Sequence, residues 1–199
     1  MRIQKEEFEG LKLYAHTILK GIPLKDVTAI DLPGGGVGKT ISSVMALLTP
    51  DELTKPNIAV RFLFWLRYKL GVIFKWEKVG NKFGSSSFIY RIDPEIQKQS
   101  VLKPGTKEGP FTMLYVLPFE SLGEIQNKTV HAFLCSHLEK TEDGYRLFWG
   151  IYVSPTSWLT PLYMAIIEPF RRYIVYPAIF RKIKKAWVLK VSKEMHGAY

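Results

Sequence analysis

The spacing of apolar residues changes along the chain, and the changes mark its elements. Residues 24–33 contain the run Val27-Thr28-Ala29-Ile30-Asp31-Leu32, rich in β-branched residues and halted by Pro33-Gly34-Gly35-Gly36. That pattern predicts a first strand followed by a glycine turn. Thr40 then caps a helix expected to reach Leu48 and to close at Pro50. From Asn57 the apolar positions Ala59, Phe62, Leu63, Leu66 and Leu70 recur at helical spacing until Gly71. Phe64 and Trp65 make this second helix apolar on nearly all sides, so it is expected to be largely buried.

The period then shortens. Residues 88–92, 111–117, 121–126, 130–138 and 145–153 are short runs rich in β-branched and aromatic side chains, and each reads as a strand. Lys103-Pro104-Gly105-Thr106 and Thr141-Glu142-Asp143-Gly144 supply turns, which predicts an antiparallel meander. In the last run Leu147, Trp149, Ile151 and Val153 alternate with Phe148 and Tyr152, so both faces of the sheet are apolar. Such a sheet needs cover on both sides, from helices, a ligand or a partner chain. Beyond Trp158, Leu159, Leu162, Tyr163, Ile166, Ile167, Phe170, Ile174, Ala178 and Ile179 form one helical stripe, expected to kink at Pro169 and Pro177.

Composition narrows the class. The chain has 199 residues, 47% of them hydrophobic and 14% aromatic, which suits one folded domain and excludes global disorder. Net charge is +10, and its location matters more than its size. Between Arg171 and Lys193 stand eight basic residues and no acidic one. The single cysteine, Cys135, lies in an apolar run and reads as a buried small hydrophobe in a reducing compartment. No signal-like apolar run opens the chain, so a cytoplasmic location is expected. The longest apolar stretch, 158–180, carries Glu168, Arg171 and Arg172 near its middle. Charges at a bilayer centre cost roughly 2.5–3.5 kcal/mol each on insertion scales, so a transmembrane helix is rejected.

The motif most suggestive of chemistry is Gly34-Gly35-Gly36-Val37-Gly38-Lys39-Thr40, which resembles a phosphate-binding loop. Its register is wrong, because Pro33 occupies the first glycine position, and no run of parallel strands and crossover helices follows. Nucleotide binding is therefore not expected. His131 and His137 share a strand face but stand about 20 Å apart, too far to hold one metal ion. No metal site, cofactor or catalytic residue is assigned. The best case for acid–base work is Glu124 meeting His131 across adjacent strands. The basic C-terminal segment reads either as a solvated helix face or as a weak contact with an anionic membrane surface, and nucleic acid is not expected.

Residues 159–175, LTPLYMAIIEPFRRYIV, resemble the C-terminal block of a bacterial domain-of-unknown-function family, which reads Gly-Arg-x-Tyr, an apolar turn, Pro-Phe-His-Arg and Ile-Val. Tyr163, Pro169, Phe170, Arg172, Ile174 and Val175 fit; Arg171 replaces the histidine, and Pro161-Leu162 the Gly-Arg. The first strand, Asp26 to Pro33, and the helix pair ending Leu66-Arg67, then Gly71, fit that family's first half. The family in turn resembles the START-like, or polyketide-cyclase-like (SRPBCC), superfamily. The resemblance implies an α+β helix-grip fold, with an antiparallel sheet wrapped around a long C-terminal helix, over residues 24–194 behind an N-terminal extension, 1–23. It also implies a cavity between sheet and helix that takes a small hydrophobic or lipid-like ligand. Trp65, Tyr115, His131, Phe133, Trp149, Tyr152, Tyr163 and Phe170 are the expected wall residues. A cyclase- or hydrolase-like enzyme using the same cavity, and a peripheral membrane or interaction protein, are the alternatives. Binding without catalysis is preferred.

Overall fold

The computed structural model describes residues 4–47, 87–126, 130–155 and 160–196. Two short helices, α1 (Lys5–Glu9) and α2 (Tyr14–Ile18), precede strand β1 (Leu24–Pro33) and helix α3 (Ile41–Met45). A 3-10 turn (Phe88–Arg91) and α4 (Pro94–Gln99) lead into β2 (Lys107–Glu108), β3 (Phe111–Val116), β4 (Glu120–Gln126), β5 (Val130–Thr141) and β6 (Gly144–Pro155). The C-terminal helix follows in three pieces: α5 (Thr160–Phe170), a π-helical segment (Arg171–Val175) and α6 (Tyr176–His196). The strands form one six-stranded antiparallel sheet in the order β1-β6-β5-β4-β3-β2. The architecture is thus α+β, a meander closed on one side by the first strand, with a long C-terminal helix. The second expected helix, 57–70, lies outside the described residues.

Both faces of the sheet are covered, as their apolar character requires. On one face Phe8, Leu13, Ala15, Ile18 and Leu19 from the N-terminal helices pack with Phe88, Ile92 and Ile96 against Leu122, Phe133, Phe148 and Tyr152. On the other, Phe180, Ile183, Trp187 and Val191 of α6 pack with Ile41 and Val44 of α3 against Leu32, Leu138, Tyr145 and Leu147. Met164 and Ile167 of α5 extend that second face over Val130 and Val153. Residues expected to be an N-terminal extension are therefore part of the core. Gly150 makes room for them, since a Cβ there would stand 2.5 Å from the Phe8 ring.

Residues 88–92, expected as a strand, form a 3-10 turn instead. The Ser87 hydroxyl accepts from the Ile89 N–H and starts the turn. Asp93-Pro94-Glu95 then opens α4, with the Asp93 side chain accepting from the Glu95 N–H at 2.8 Å and proline in the first turn. Of the two prolines expected to kink the C-terminal helix, Pro169 lies within α5, which runs on to Phe170, and the backbone changes form ahead of Pro177. Pro177 brings no N–H and crowds the carbonyl four residues back, and the backbone just before it widens into the π-helical segment.

The glycine loop has a packing role. Gly34, Gly35, Gly36 and Gly38 all have positive φ. A Cβ on Gly35 would meet the Trp187 ring at 2.8 Å, so the glycine lets the loop close over α6. The Trp187 indole N–H donates to the Pro33 carbonyl at 2.9 Å, and Lys39 Nζ pairs with Glu194 of α6 at 2.5 Å. The Tyr145 hydroxyl donates to the Gly36 carbonyl and accepts from the Lys39 N–H. Thr40 caps α3 through a reciprocal pair with Ser43. Gly34, Gly35 and Lys39 of the loop thus stand against the C-terminal helix.

Candidate functional site

Polar chemistry concentrates in two places, one on each side of the sheet. On the N-terminal side, β4 carries two buried carboxylates, Glu120 and Glu124, with Leu122 between them. Glu120 accepts from the Tyr115 hydroxyl and from the N–H groups of Ala15 (2.8 Å) and Tyr14 (3.1 Å), which ties α2 to the sheet. Glu124 accepts from the Ser87 hydroxyl, the Phe88 N–H (3.1 Å) and His131 Nε2 (2.8 Å). The expected meeting of Glu124 and His131 across adjacent strands is therefore present. Burial alone would raise the Glu124 carboxyl, but the hydrogen bonds from His131, Ser87 and Phe88 outweigh it and hold the group below its ordinary value.

The Glu124–His131 pair is sealed, while Ser87 is half-buried. His131 has no exposed surface and sits between the rings of Phe88 (5.2 Å between centroids) and Phe133 (4.4 Å). Its Nδ1 has no partner among the described residues. The carboxylate stands between serine and imidazole, so the imidazole does not touch the Ser87 hydroxyl it would have to activate. Burial likewise pushes up the Tyr115 hydroxyl and the Cys135 thiol, leaving both protonated and inert.

On the other side an open groove runs between β1 and the C-terminal helix. It has a volume of about 380 Å³ and mostly apolar walls. Phe180, Ile30, Tyr176 and Asp26 lie deep in it; Arg172, Tyr173, Arg181 and Lys184 stand toward its mouth. A β-bulge at Lys25 builds this wall. Leu24 pairs with Tyr152 and faces the N-terminal helices, while Asp26, paired with Ile151, faces the C-terminal helix with Thr28 and Ile30. Without the extra residue, Leu24 and Asp26 would share a face. Burial raises the Tyr176 hydroxyl to about 12, with Arg171 acting in the opposite sense, so it stays a neutral donor.

None of the expected wall residues that the structure describes lines this groove. Tyr115, His131, Phe133 and Tyr152 lie together on the opposite face of the sheet, in the core under the N-terminal helices. Trp149 is on the helix side but packs its ring against Phe180, 4.8 Å between centroids. Phe170 is half-buried at the end of α5. Trp65 and the side chain of Tyr163 lie outside the described residues. The groove residues were partly visible in sequence, as the basic run beside an aromatic helix face. The contribution of Asp26, Thr28 and Ile30 from β1 was not.

Among the described residues no group of three His, Cys, Asp or Glu side chains could hold a metal ion. No described helix is long and apolar enough to cross a membrane. Fold and groove define an α+β protein with a laterally open, cation-rimmed cleft between its first strand and its C-terminal helix. The chain belongs to the family described as "Protein of unknown function (DUF2867)", whose model matches residues 18–178. No curated protein and no solved structure gave a match.

Proposed function

We propose that this protein binds a small, lipid-like molecule with an anionic head in the groove between β1 and the C-terminal helix, as a helix-grip domain would. The observation that carries this reading is the groove itself: Phe180, Ile30 and Tyr176 offer an apolar floor, and the lining holds three cations, Arg172, Arg181 and Lys184, and one carboxylate, Asp26. Its volume falls within the roughly 300–1,000 Å³ of ordinary ligand sites. The antiparallel sheet crossed by a long C-terminal helix supports the START-like comparison. An enzyme would have to use the Glu124–His131 pair, which is sealed on the wrong side of the sheet, so binding is the better supported reading.

Titration with a fluorescent long-chain fatty acid tests it. One-to-one, saturable binding is expected, lost in Thr28→Trp, which fills the groove, and weakened in Arg172→Glu. Undiminished binding by Thr28→Trp would overturn the assignment of this groove.

A further inference from the structure

We infer that the outer face of the C-terminal helix is a docking surface for a bilayer rich in anionic phospholipid. This inference does not rest on the groove's ligand. Arg181, Lys185, Val188 and Leu189 stand at positions i, i+4, i+7 and i+8 and form a single exposed stripe. Lys182, Lys184 and Lys193, all exposed, flank it. Ile183, Trp187 and Val191 occupy the opposite, buried side, so the helix is held against the sheet while this stripe faces solvent.

Two features separate the stripe from an ordinary solvated face. First, large apolar side chains stand among the cations: Val188 is 42% and Leu189 54% exposed, and Tyr173 (70%) and Ile174 (43%) stand exposed just upstream. Four of the nine large hydrophobics exposed among the described residues therefore belong to this one stretch of helix. Second, the acidic side chain of α6, Glu194, is at its far end and is already paired with Lys39. Cations that reach headgroups with short apolar side chains between them suit the interface of an anionic membrane. A second copy of the chain is a poor occupant, because the face would meet its own positive charge. Nucleic acid would satisfy the cations but leave Val188 and Leu189 without a role. The main apolar stripe is spent on the core, so docking is shallow, reversible and sensitive to salt.

Co-sedimentation of the full chain with vesicles tests this. Binding is expected to phosphatidylcholine vesicles containing phosphatidylglycerol and not to phosphatidylcholine alone, and physiological salt should weaken it. Lys182→Glu with Lys185→Glu should lower partitioning about tenfold or more, and Val188→Ser with Leu189→Ser should lower it further than salt alone. All four positions are exposed and outside the groove, so melting temperature and fatty-acid binding should stay unchanged. No binding to the anionic vesicles, or binding indifferent to both pairs, would overturn the inference. So would tighter binding to duplex DNA that the charge pair abolishes and the apolar pair leaves intact.

Discussion

The two faces of the sheet solve different problems with similar residues. The N-terminal face holds carboxylates, a histidine, a serine and a tyrosine, yet these bind one another and the chain's own N–H groups. The helix face also holds buried polar groups, Asp26, Ser121 and Ser136, but there cations line an open groove with apolar walls. Polar residues in a fold are thus informative about ligands only when their hydrogen bonds are not already consumed internally. The side that looks more like an active site by residue type is the one that holds the structure together.

That contrast can be broken by substitution. The largest effect is expected from Glu124→Ala, which strands the His131 ring N–H, the Ser87 hydroxyl and the Phe88 N–H in the core. Loss of about 3–5 kcal/mol of stability is expected by chemical denaturation, with groove binding intact wherever the protein remains folded. Gly35→Ala should come next. It forces a Cβ toward Trp187 and a side chain into positive φ, and should cost about 1–3 kcal/mol. A fall in stability for Gly35→Ala with no change in the Trp187 environment, read by tryptophan fluorescence, would remove the glycine loop from its proposed role.

A subtler effect is pH dependence. Glu124 is held below its ordinary pKa in the folded protein, so its contribution is present above the unfolded carboxyl value and is lost as pH falls through the folded one. Glu124→Gln should therefore lower the melting temperature at neutral pH, and the gap from wild type should close in acid. A gap constant across that range would mean that charge on Glu124 contributes nothing. The smallest effect is expected from Lys39→Ala, whose partner Glu194 is exposed. Melting temperature should barely move, and calorimetry with ATP and magnesium should show no binding in either form. Micromolar ATP binding lost in Lys39→Ala would restore the phosphate-loop reading.

Where local pattern and tertiary packing agree, the fold was legible. The bounds of β1 follow from its β-branched run and the Pro33 glycine turn, and the two-sided character of β6 foretold cover on both faces. Where a distant contact decides, it was not. The packing of residues 5–19 depends on Gly150 admitting Phe8, a contact no local pattern announces. The apolar run 88–92 looks extended, but Ser87 and Asp93-Pro94 flank it with turn and helix starts. For the site, the Glu124–His131 pair was readable from strand adjacency. Its burial was not, because alternation tells that two residues share a face but not which helices cover that face. The groove was missed on its β1 side because the alternation of Asp26, Thr28 and Ile30 shows that they share a face but not that the C-terminal helix leaves that face open.

The most direct test of the division between the faces is residue-resolved. Backbone amide chemical shifts should be followed by NMR while a long-chain fatty acid is titrated into the full chain. Perturbations are expected at Thr28, Ile30, Tyr176, Phe180, Arg181 and Lys184, with Tyr115, His131, Phe133 and Tyr152 unmoved. Saturable shifts confined to Tyr115, His131, Phe133 and Tyr152 would contradict the account and return the ligand to the other face of the sheet.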